Sequence, residues 1–341
     1  MLRALDLFSG IGGITHGLRG IVTPIAYVEK NSDAREFLKQ KHPEIPVFED
    51  VCTFDASEWK GKVDIITCGW PCTGFSVAGH GTGFKHEASG LFTEVVRITK
   101  ECEPKYLFLE NSHVLSTPEN IRVVVDAFDG LGYDCRWLTC QATCVEAKHQ
   151  RKRWFCLANK RCVDTKIYIP DVNKFDWSFD EPVRQVEKYS IENRNLLGFL
   201  GNAVVPDQIR YAFSLLVNLS TLKTKSNEKN GFSVNGKITT FKLKHQKTLP
   251  LNIIISPREN ESSFAVRCDI TKILTKPVVA AFWATPTFMC RHSKSPRTLT
   301  ERSSKMLSAQ VSFSEGGKHG WYLSARWVAW LMGFPDDYFD V

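Results

Sequence analysis

The sequence lacks the features that would place it in a membrane or outside the cell. No stretch approaches the ~20 apolar residues of a membrane-spanning helix, and the opening MLRALDLFSGIGG has neither the apolar core nor the cleavage site of a signal peptide. The eleven cysteines include no CxxC pair, which argues against a disulfide framework and against a zinc site. We therefore expect an intracellular protein with no membrane partner and no bound metal.

The charge is distributed unevenly along a chain of otherwise ordinary composition. With 43% hydrophobic and 24% charged residues, the 341-residue chain is typical of a globular protein. Its net charge is +7, yet residues 221–320 contain 17 Lys and Arg against 6 Asp and Glu, a net charge of +11. This favours a near-neutral catalytic body followed by a region that binds a polyanion, although a lysine-rich solvated surface is an alternative.

The order of apolar runs indicates the fold class. Short apolar runs alternate with amphipathic stretches, which is typical of an α/β fold with a doubly wound, mostly parallel sheet. The predicted strands are Arg3–Phe8, Ile25–Glu29, Pro46–Phe48, Val63–Cys68, Tyr106–Glu110, Asp134–Cys140 and Arg153–Ala158. The predicted helices include Ser32–Lys41, Leu91–Cys102, Ile121–Leu131 and Pro206–Leu219. The polar stretch 220–231 predicts a linker, so we expect a catalytic domain over residues 1–220 and a smaller, irregular or β-rich region over 221–341.

A glycine-rich turn follows the first predicted strand in DLFSGIGG, residues 6–13. Gly10 and Gly12 allow a tight turn and close approach of a ligand to the main chain. Acidic residues close the next two strands, and there Glu29 is placed to bind ribose hydroxyls and Asp50 to accept from an amine. A dehydrogenase is one alternative, but its usual GxGxxG spacing is absent. Alternatively, each acidic residue has a purely structural role, as a helix N-cap or as a solvated residue at the end of a strand.

Three further motifs carry reactive or charged side chains. In GWPCTGFS, residues 69–76, Cys72 follows a proline in a loop at the end of a buried strand, where α/β sheets place their ligands. The next strand ends at Glu110 in FLEN. In EAKHQRKRWFCLA, Arg151 and Arg153 alternate on an extended segment and so point to one side. Each motif alone has a structural explanation, but their order favours a single reactive site.

Taken in order, these motifs resemble those of DNA cytosine-5 methyltransferases over residues 1–210, and LGNAVVP resembles the last motif of that family. The resemblance implies a Rossmann-like methyltransferase fold with S-adenosyl-L-methionine as cofactor. It also implies double-stranded DNA as the partner, and we expect a monomer. The cofactor-binding residues that it implies are Phe8, Gly10, Gly12, Glu29, Asp50 and Asn202.

The resemblance also implies roles in catalysis. Cys72 is the expected nucleophile, which adds to carbon 6 of a flipped-out cytosine. Glu110 is expected to contact N3 and the exocyclic amine of the base. Arg151 and Arg153 are expected to contact the cytosine O2 and the neighbouring phosphate, and Ser76 the phosphate beside the target.

The DNA-reading region is expected near the C-terminus. Only about 40 residues separate Ala158 from Leu200, too few for the reading region that many family members carry there. The basic, hydroxyl-rich stretch 291–305 is the predicted DNA-facing loop, and WVAWLMGFP, residues 327–335, is predicted to pack on the catalytic body. The arginines expected to bind DNA are Arg291, Arg297 and Arg302.

Two alternative functions stay open at this point. A tRNA cytosine-5 methyltransferase of the same fold is one, although that subgroup usually lacks a long segment after the last motif. A catalytically inactive DNA-binding homologue is the other, although Cys72, Glu110, Arg151 and Arg153 are all present.

Overall fold

A computed structural model of the chain describes the backbone and side chains of most of the first 218 residues and of the C-terminal segment. The described residues are 1–71, 91–163, 167–177, 181–188, 190–218, 230–234, 237–241, 283, 286, 307, 310–311 and 322–340, of which 230–234 and 237–241 are described by their backbone. No helix within these ranges is long and apolar enough to cross a bilayer.

The strands within the described ranges form one large and one small sheet. The strands are β1 (Leu2–Leu7), β2 (Val22–Val28), β3 (Val47–Phe48), β4 (Ile65–Cys68), β5 (Tyr106–Ser112), β6 (Tyr133–Cys140), β7 (Arg153–Lys160), β8 (Gln185–Val186), β9 (Asn230–Val234), β10 (Lys237–Phe241) and β11 (Tyr322–Leu323). The large sheet has nine strands in the order β10–β9–β6–β7–β5–β4–β1–β2–β3, and β8 pairs with β11.

The centre of the large sheet is parallel. Strand β1 runs parallel to β2 and β4, β2 to β3, and β4 to β5. Strand β7 is antiparallel to β5 and β6. The β6–β7 connection, residues 141–152, contains a short 3-10 turn at Ala142–Val145 instead of the helical crossover that parallel neighbours usually need. The predicted Rossmann-like α/β fold is confirmed, with the carboxyl ends of β1, β2, β4 and β5 at one edge.

The four helices that the amphipathic pattern predicts are all present among the helices that the structure describes. Their bounds are α1 (Gly13–Gly17), α2 (Ser32–Lys41), α3 (Leu91–Cys102), α4 (Pro118–Asp129), α5 (Ile191–Asn202), α6 (Pro206–Asn218) and α7 (Ala325–Met332). Helices α2 and α3 match their predicted bounds. Helix α4 begins earlier than predicted because the Thr117 side chain accepts a hydrogen bond from Asn120 N and Pro118 suits the first turn.

The helices form a layer on each face of the sheet. Helices α3 and α4 bury apolar side chains, among them Phe92, Ile98 and Phe128, against one face. Helices α1 and α6 do the same on the other face, with Ile14 and Phe213 among the buried side chains. The carboxyl ends of the parallel strands lie between these layers, at the edge where such folds bind ligands.

The described residues of the C-terminal part pair with strands and pack on helices of the catalytic body. Strand β9 extends the large sheet by pairing with β6. Helix α7 is buried against α5, with Trp327 and Leu331 packed in the same apolar cluster as Leu197 and Leu200. The predicted packing of the segment 327–335 on the body is therefore confirmed. The division at residue 220 into a catalytic and a DNA-reading part stays a prediction.

Candidate active site

The turn after β1 leaves open space beside its main chain. Phe8, Gly10 and Gly12 have positive φ angles of 54°, 54° and 77°. A Cβ atom added at Gly10 would meet no atom of the described residues within 4 Å, whereas one at Gly12 would lie 3.4 Å from Leu38 Cδ2. The turn thus packs closely on α2 on one side and is open at Gly10, which is the property that a nucleotide-like ligand needs.

Glu29 joins the glycine turn to the next element of the sheet. Its Oε2 accepts a hydrogen bond from Gly10 N at 2.7 Å, and its Oε1 accepts one from Asn31 N at 2.8 Å. The carboxylate therefore lies against the main chain of Gly10, and its contact with ribose hydroxyls stays a prediction. Each oxygen has accepted one main-chain hydrogen bond and retains capacity for another.

Asp50 follows β3 at the same edge and is paired with a lysine. Lys30 Nζ lies 2.7 Å from Asp50 Oδ2, and Cys52 N donates to Oδ1 at 3.0 Å. The hydrogen bond from Lys30 is the main cause that lowers the pKa of Asp50. Asp50 is thus an ionised acceptor, and a ligand amine bound there would share it with Lys30.

Strand β4 brings the chain to this edge just before the predicted nucleophile. Cys68 is fully buried at the end of the strand, and burial raises the pKa of its thiol well above the ordinary value, so it is an inert core residue. Trp70 is also buried and Pro71 is exposed. Cys72 and Ser76 lie outside the described residues.

Glu110 is buried beside the end of β4. Its relative exposure is 9%, and a Cβ atom added at Gly69 would lie 3.3 Å from its Oε2. Its other oxygen, Oε1, is 3.1 Å from Arg153 Nε. Burial raises the pKa of Glu110, although the charges of Arg153 and Arg151 act in the opposite direction.

The strand register explains this ion pair. In the antiparallel β5–β7 pair, Ser112 lies opposite Arg153 and Glu110 lies opposite Phe155. Alternate residues share a face of the sheet, so Glu110 and Arg153 are diagonal neighbours on one face. The adjacent Asn111 donates to the carbonyl of Trp70 at 3.1 Å. Strand β5 therefore supplies the acid and also braces the loop that leads to Cys72.

Arg151 makes different contacts from Arg153. It is buried, and its guanidinium donates to the carbonyl oxygens of Ala203 and Pro286. Arg151 thereby connects the loop after α5 to the start of β7, and its charge also acts on Glu110. The structure brings both arginines near the acid, while their contacts with the cytosine O2 and a phosphate stay predictions.

The loop after α5 lies against the glycine turn. A Cβ atom added at Gly13 would lie 2.9 Å from Val204 Cγ2, so these two loops are in close contact. Asn202, two residues before Val204, is exposed at the end of α5. This position is consistent with its predicted contact to the cofactor. Arg291, Arg297 and Arg302 lie outside the described residues.

Comparison with known proteins identifies the family. A family model described as C-5 cytosine-specific DNA methylase matches residues 2–341. The chain belongs to this family. It is 42% identical to the type II methyltransferase M.CviJI of Paramecium bursaria Chlorella virus IL3A over 98% of this chain and 97% of that protein. The enzyme is therefore a DNA cytosine-5 methyltransferase.

More distant relatives match parts of this methylase. The type II methyltransferase M.NgoBI of Neisseria gonorrhoeae is 36% identical over 39% of this chain and 43% of its own length. A crystal structure of a Spodoptera frugiperda DNMT2 mutant matches with a TM-score of 0.43 at 18% identity, over 58% of this chain and 64% of that one.

Two residues at this edge of the methylase were not predicted from the sequence. Tyr338 donates from its hydroxyl to the carbonyl oxygen of Ile11 in the glycine turn at 2.6 Å. Asp6, at the end of β1, is buried and accepts from the Thr67 hydroxyl at 2.6 Å. Asp6 could have been noticed as the acidic residue in the apolar part of β1 that follows Arg3. No local pattern in the sequence marks Tyr338.

Proposed function

We propose that this methylase transfers a methyl group from S-adenosyl-L-methionine to carbon 5 of a flipped-out cytosine in double-stranded DNA, through a covalent bond between Cys72 and carbon 6. The supporting observation is the buried Glu110, which is paired with Arg153 and faces Gly69 in the segment that leads from β4 to Cys72. Carbon 5 is a poor nucleophile, and addition of a thiolate to carbon 6 makes it enamine-like.

The glycine turn fits the cofactor. The open space at Gly10 admits a ligand against the main chain, and the remaining capacity of the two Glu29 oxygens suits ribose hydroxyls. The ionised Asp50 suits the adenine amine. The other residues proposed to hold the cofactor are Phe8, Gly12 and Asn202. When bound, the cofactor supplies an electrophilic methyl group.

Glu110 is proposed to control the proton at N3 of the base. Addition of the Cys72 thiolate to carbon 6 places negative charge on the ring, and a proton or hydrogen bond at N3 stabilises it. Arg153 engages Oε1, so Oε2, which faces Gly69, is the oxygen available to the base. The raised pKa of Glu110 favours a protonated acid, and burial is its main cause.

The proposed reaction ends with restoration of the aromatic ring. After methylation, carbon 5 carries both the methyl group and its original hydrogen. A base or water removes this proton, the electron pair reforms the double bond, and the Cys72 thiolate leaves carbon 6. Carbon 6 and N3 are inaccessible inside a duplex, so the cytosine must be flipped out of the helix.

The basic region, residues 221–320, is proposed to select the target sequence. Its net charge of +11 suits phosphates, and its arginines suit guanine edges. The relative M.CviJI is a type II methyltransferase. We therefore propose site-specific modification of DNA, with Arg291, Arg297 and Arg302 among the DNA contacts and Ser76 at the phosphate beside the target.

Trapping on a modified duplex tests the nucleophile. Fluorine at carbon 5 cannot be lost as a proton, so duplex DNA in which 5-fluorocytosine replaces cytosine should retain the enzyme covalently. With S-adenosyl-L-methionine, the wild-type protein should give a complex that survives denaturing electrophoresis. Cys72→Ser should give none and should lose methyl transfer, because serine is not ionised at neutral pH.

The matched control is Cys162→Ser, which alters an exposed cysteine elsewhere in the chain. This variant should trap like the wild type. A trapped complex with Cys72→Ser would assign the nucleophile to another residue. Transfer of labelled methyl groups to tRNA but not to duplex DNA would contradict the proposed substrate.

A further inference from the structure

Tyr338 connects the C-terminal segment to the glycine turn. Its side chain is 3% exposed, and its hydroxyl donates to the carbonyl oxygen of Ile11 at 2.6 Å. Its ring packs edge-on against His16, with centroids 4.6 Å apart, and against Phe334 at 4.7 Å. The bond joins residues 327 positions apart in the chain. The turn is thus in contact with the C-terminal end of the region 221–341 that is predicted to read DNA.

Lys41 contacts both the main chain and the ring of Tyr338. At the end of α2, Lys41 Nζ donates to the Tyr338 carbonyl oxygen at 2.5 Å and lies 4.2 Å from the centroid of the tyrosine ring. A hydrogen bond and a cation–π contact thus restrain both the main chain and the ring of Tyr338. The hydroxyl is therefore presented to the turn in a defined position.

The glycine turn needs such restraint. Ile11 lies between Gly10 and Gly12, both at positive φ, and glycine populates several backbone conformations at similar cost. Glu29 contacts the turn on one side through Gly10 N, and Tyr338 contacts it on the other through the Ile11 carbonyl. Gly12 N also donates to the Ser9 carbonyl within the turn. Loss of the Tyr338 contact would remove the restraint on the Ile11 carbonyl between the two glycines.

We propose that Tyr338 is a positioning residue for the cofactor site: it sets the conformation of the glycine turn, so that cofactor affinity depends on the seating of residues 322–340. This inference rests on the proposed binding of the cofactor at Gly10 and Glu29. Because linkage is reciprocal, occupation of the turn should in return stabilise the C-terminal segment.

Calorimetric titration with S-adenosylhomocysteine tests the inference without relying on activity. Tyr338→Phe keeps the ring and removes the hydroxyl. The dissociation constant should rise about 3- to 10-fold, as expected for loss of one hydrogen bond. In methyl-transfer assays, KM for the cofactor should rise by a similar factor while kcat at saturating cofactor changes little.

Tyr133→Phe is the matched control. Tyr133 is also buried, and its hydroxyl donates to the carbonyl oxygen of Pro104, likewise at 2.6 Å, away from the glycine turn. Its variant should bind S-adenosylhomocysteine as the wild type does. Equal affinities for wild type and Tyr338→Phe would overturn the proposal. If the wild type itself fails to bind, the proposed cofactor site is wrong instead.

If Tyr338→Phe does not fold, hydrogen exchange on the wild-type protein tests whether the C-terminal segment and the cofactor site are linked. S-adenosylhomocysteine should slow amide exchange in residues 333–340, which contain the hydrogen-bonded amides of Phe334 and Tyr338. A peptide from residues 118–129 serves as the internal reference and should be unaffected. Unchanged exchange in residues 333–340 at saturating ligand would overturn the proposal.

Discussion

Carboxyl groups at one edge of the sheet differ in burial and in the cation that they face. Asp50 is partly exposed beside Lys30, and its pKa is lowered. Glu110 is buried, and its pKa is raised even though Arg153 is close. The site therefore presents an ionised acceptor near the glycine turn and, beside Gly69, an acid suited to hold a proton. Environment, rather than residue type, separates the two proposed roles.

Asp6 makes the stability of this protein depend on pH. The residue is buried, its Oδ1 accepts from Thr67, and its Oδ2 has no hydrogen-bond partner among the described residues. Burial is the main cause that raises its pKa from 3.8 to about 8. Between these values the folded protein retains a proton that the unfolded chain has released, so stability falls as pH rises from about 4 to about 8.

Asp6→Asn should remove this dependence. The amide cannot ionise, so the stability of the variant relative to wild type should increase with pH between pH 5 and pH 8, by up to about 1.4 kcal/mol per pH unit. The measurement is urea unfolding at several pH values. A difference between the two proteins that does not change over this range would contradict the assignment.

Asp64→Asn is a control with the opposite sign. Burial acts to raise the pKa of Asp64, but hydrogen bonds from Arg3 and Lys105 outweigh it and lower the pKa well below its ordinary value. Its native carboxylate therefore stabilises the fold above about pH 4 and loses this effect as pH falls. Asp64→Asn should be destabilised at pH 7, and the loss should shrink in acid.

At the scale of helices and strands, local patterns predicted most of the catalytic domain. Apolar runs identified β1 to β7, and periodicity gave α2 and α3 their observed bounds. The direction of β7 was not predictable from its own residues, because it depends on a connection without a crossover helix. Likewise, β8 and β11 are two-residue strands that pair across more than a hundred positions, and their lengths are too short for a sequence signal.

A single amide side chain adds two hydrogen bonds to the apolar packing of α5 against α7. Asn193 Nδ2 donates to the Leu323 carbonyl at 2.9 Å, and its Oδ1 accepts from Ala325 N at 2.8 Å. The side chain thereby satisfies main-chain groups just before α7 and in its first turn. We expect Asn193→Ala to lower the free energy of unfolding by about 1–3 kcal/mol, because both groups lose their partner. Urea unfolding measures this change.

The control for this variant lies on the same helix. Asn195→Ala makes the same substitution two residues further on, a spacing that points away from the face of Asn193. It should leave stability within about 0.5 kcal/mol of the wild type. Equal losses for the two variants would mean that the loss does not come from the two hydrogen bonds of Asn193, and would contradict this prediction.

At the scale of the whole molecule, the first and last parts of the chain complete one site. The sequence predicted Glu29 and Glu110 near the edge because each ends a strand, and strand ends converge in a parallel sheet. It could not predict the contact of Tyr338 with Ile11, because such a contact depends on how distant elements pack. The same holds for Arg151, whose hydrogen bonds to Ala203 and Pro286 follow from tertiary packing.

This connectivity determines how the predicted DNA-reading region should be tested. Truncation at residue 220 would remove β9 from the large sheet and α7 from α5, and would expose the apolar side chains that α7 now covers. Loss of activity would then report damage to the fold. Single arginine substitutions in the full chain are therefore the more informative experiment.

Arg291→Ala, Arg297→Ala and Arg302→Ala should each weaken DNA binding and leave the affinity for S-adenosylhomocysteine unchanged. The net charge of +11 over residues 221–320 motivates the prediction. If the arginine binds a phosphate, its replacement should reduce the slope of log affinity against log salt concentration by roughly 0.9 and weaken binding to all sequences alike. If the arginine reads a base, its replacement should cost about 1–3 kcal/mol of binding free energy and relax the specificity at one position.

Arg3→Ala is the control, because Arg3 is exposed at the start of β1, on the edge opposite the carboxyl ends that form the site. Its salt dependence and sequence preference should match the wild type, measured by binding titrations at several salt concentrations and by bisulfite sequencing of methylated DNA. If all three variants also match the wild type in both respects, these arginines do not contact DNA. Target reading would then have to come from other residues of 221–341 or from the segment 159–200, because the charge of the basic region alone does not assign recognition to these three arginines.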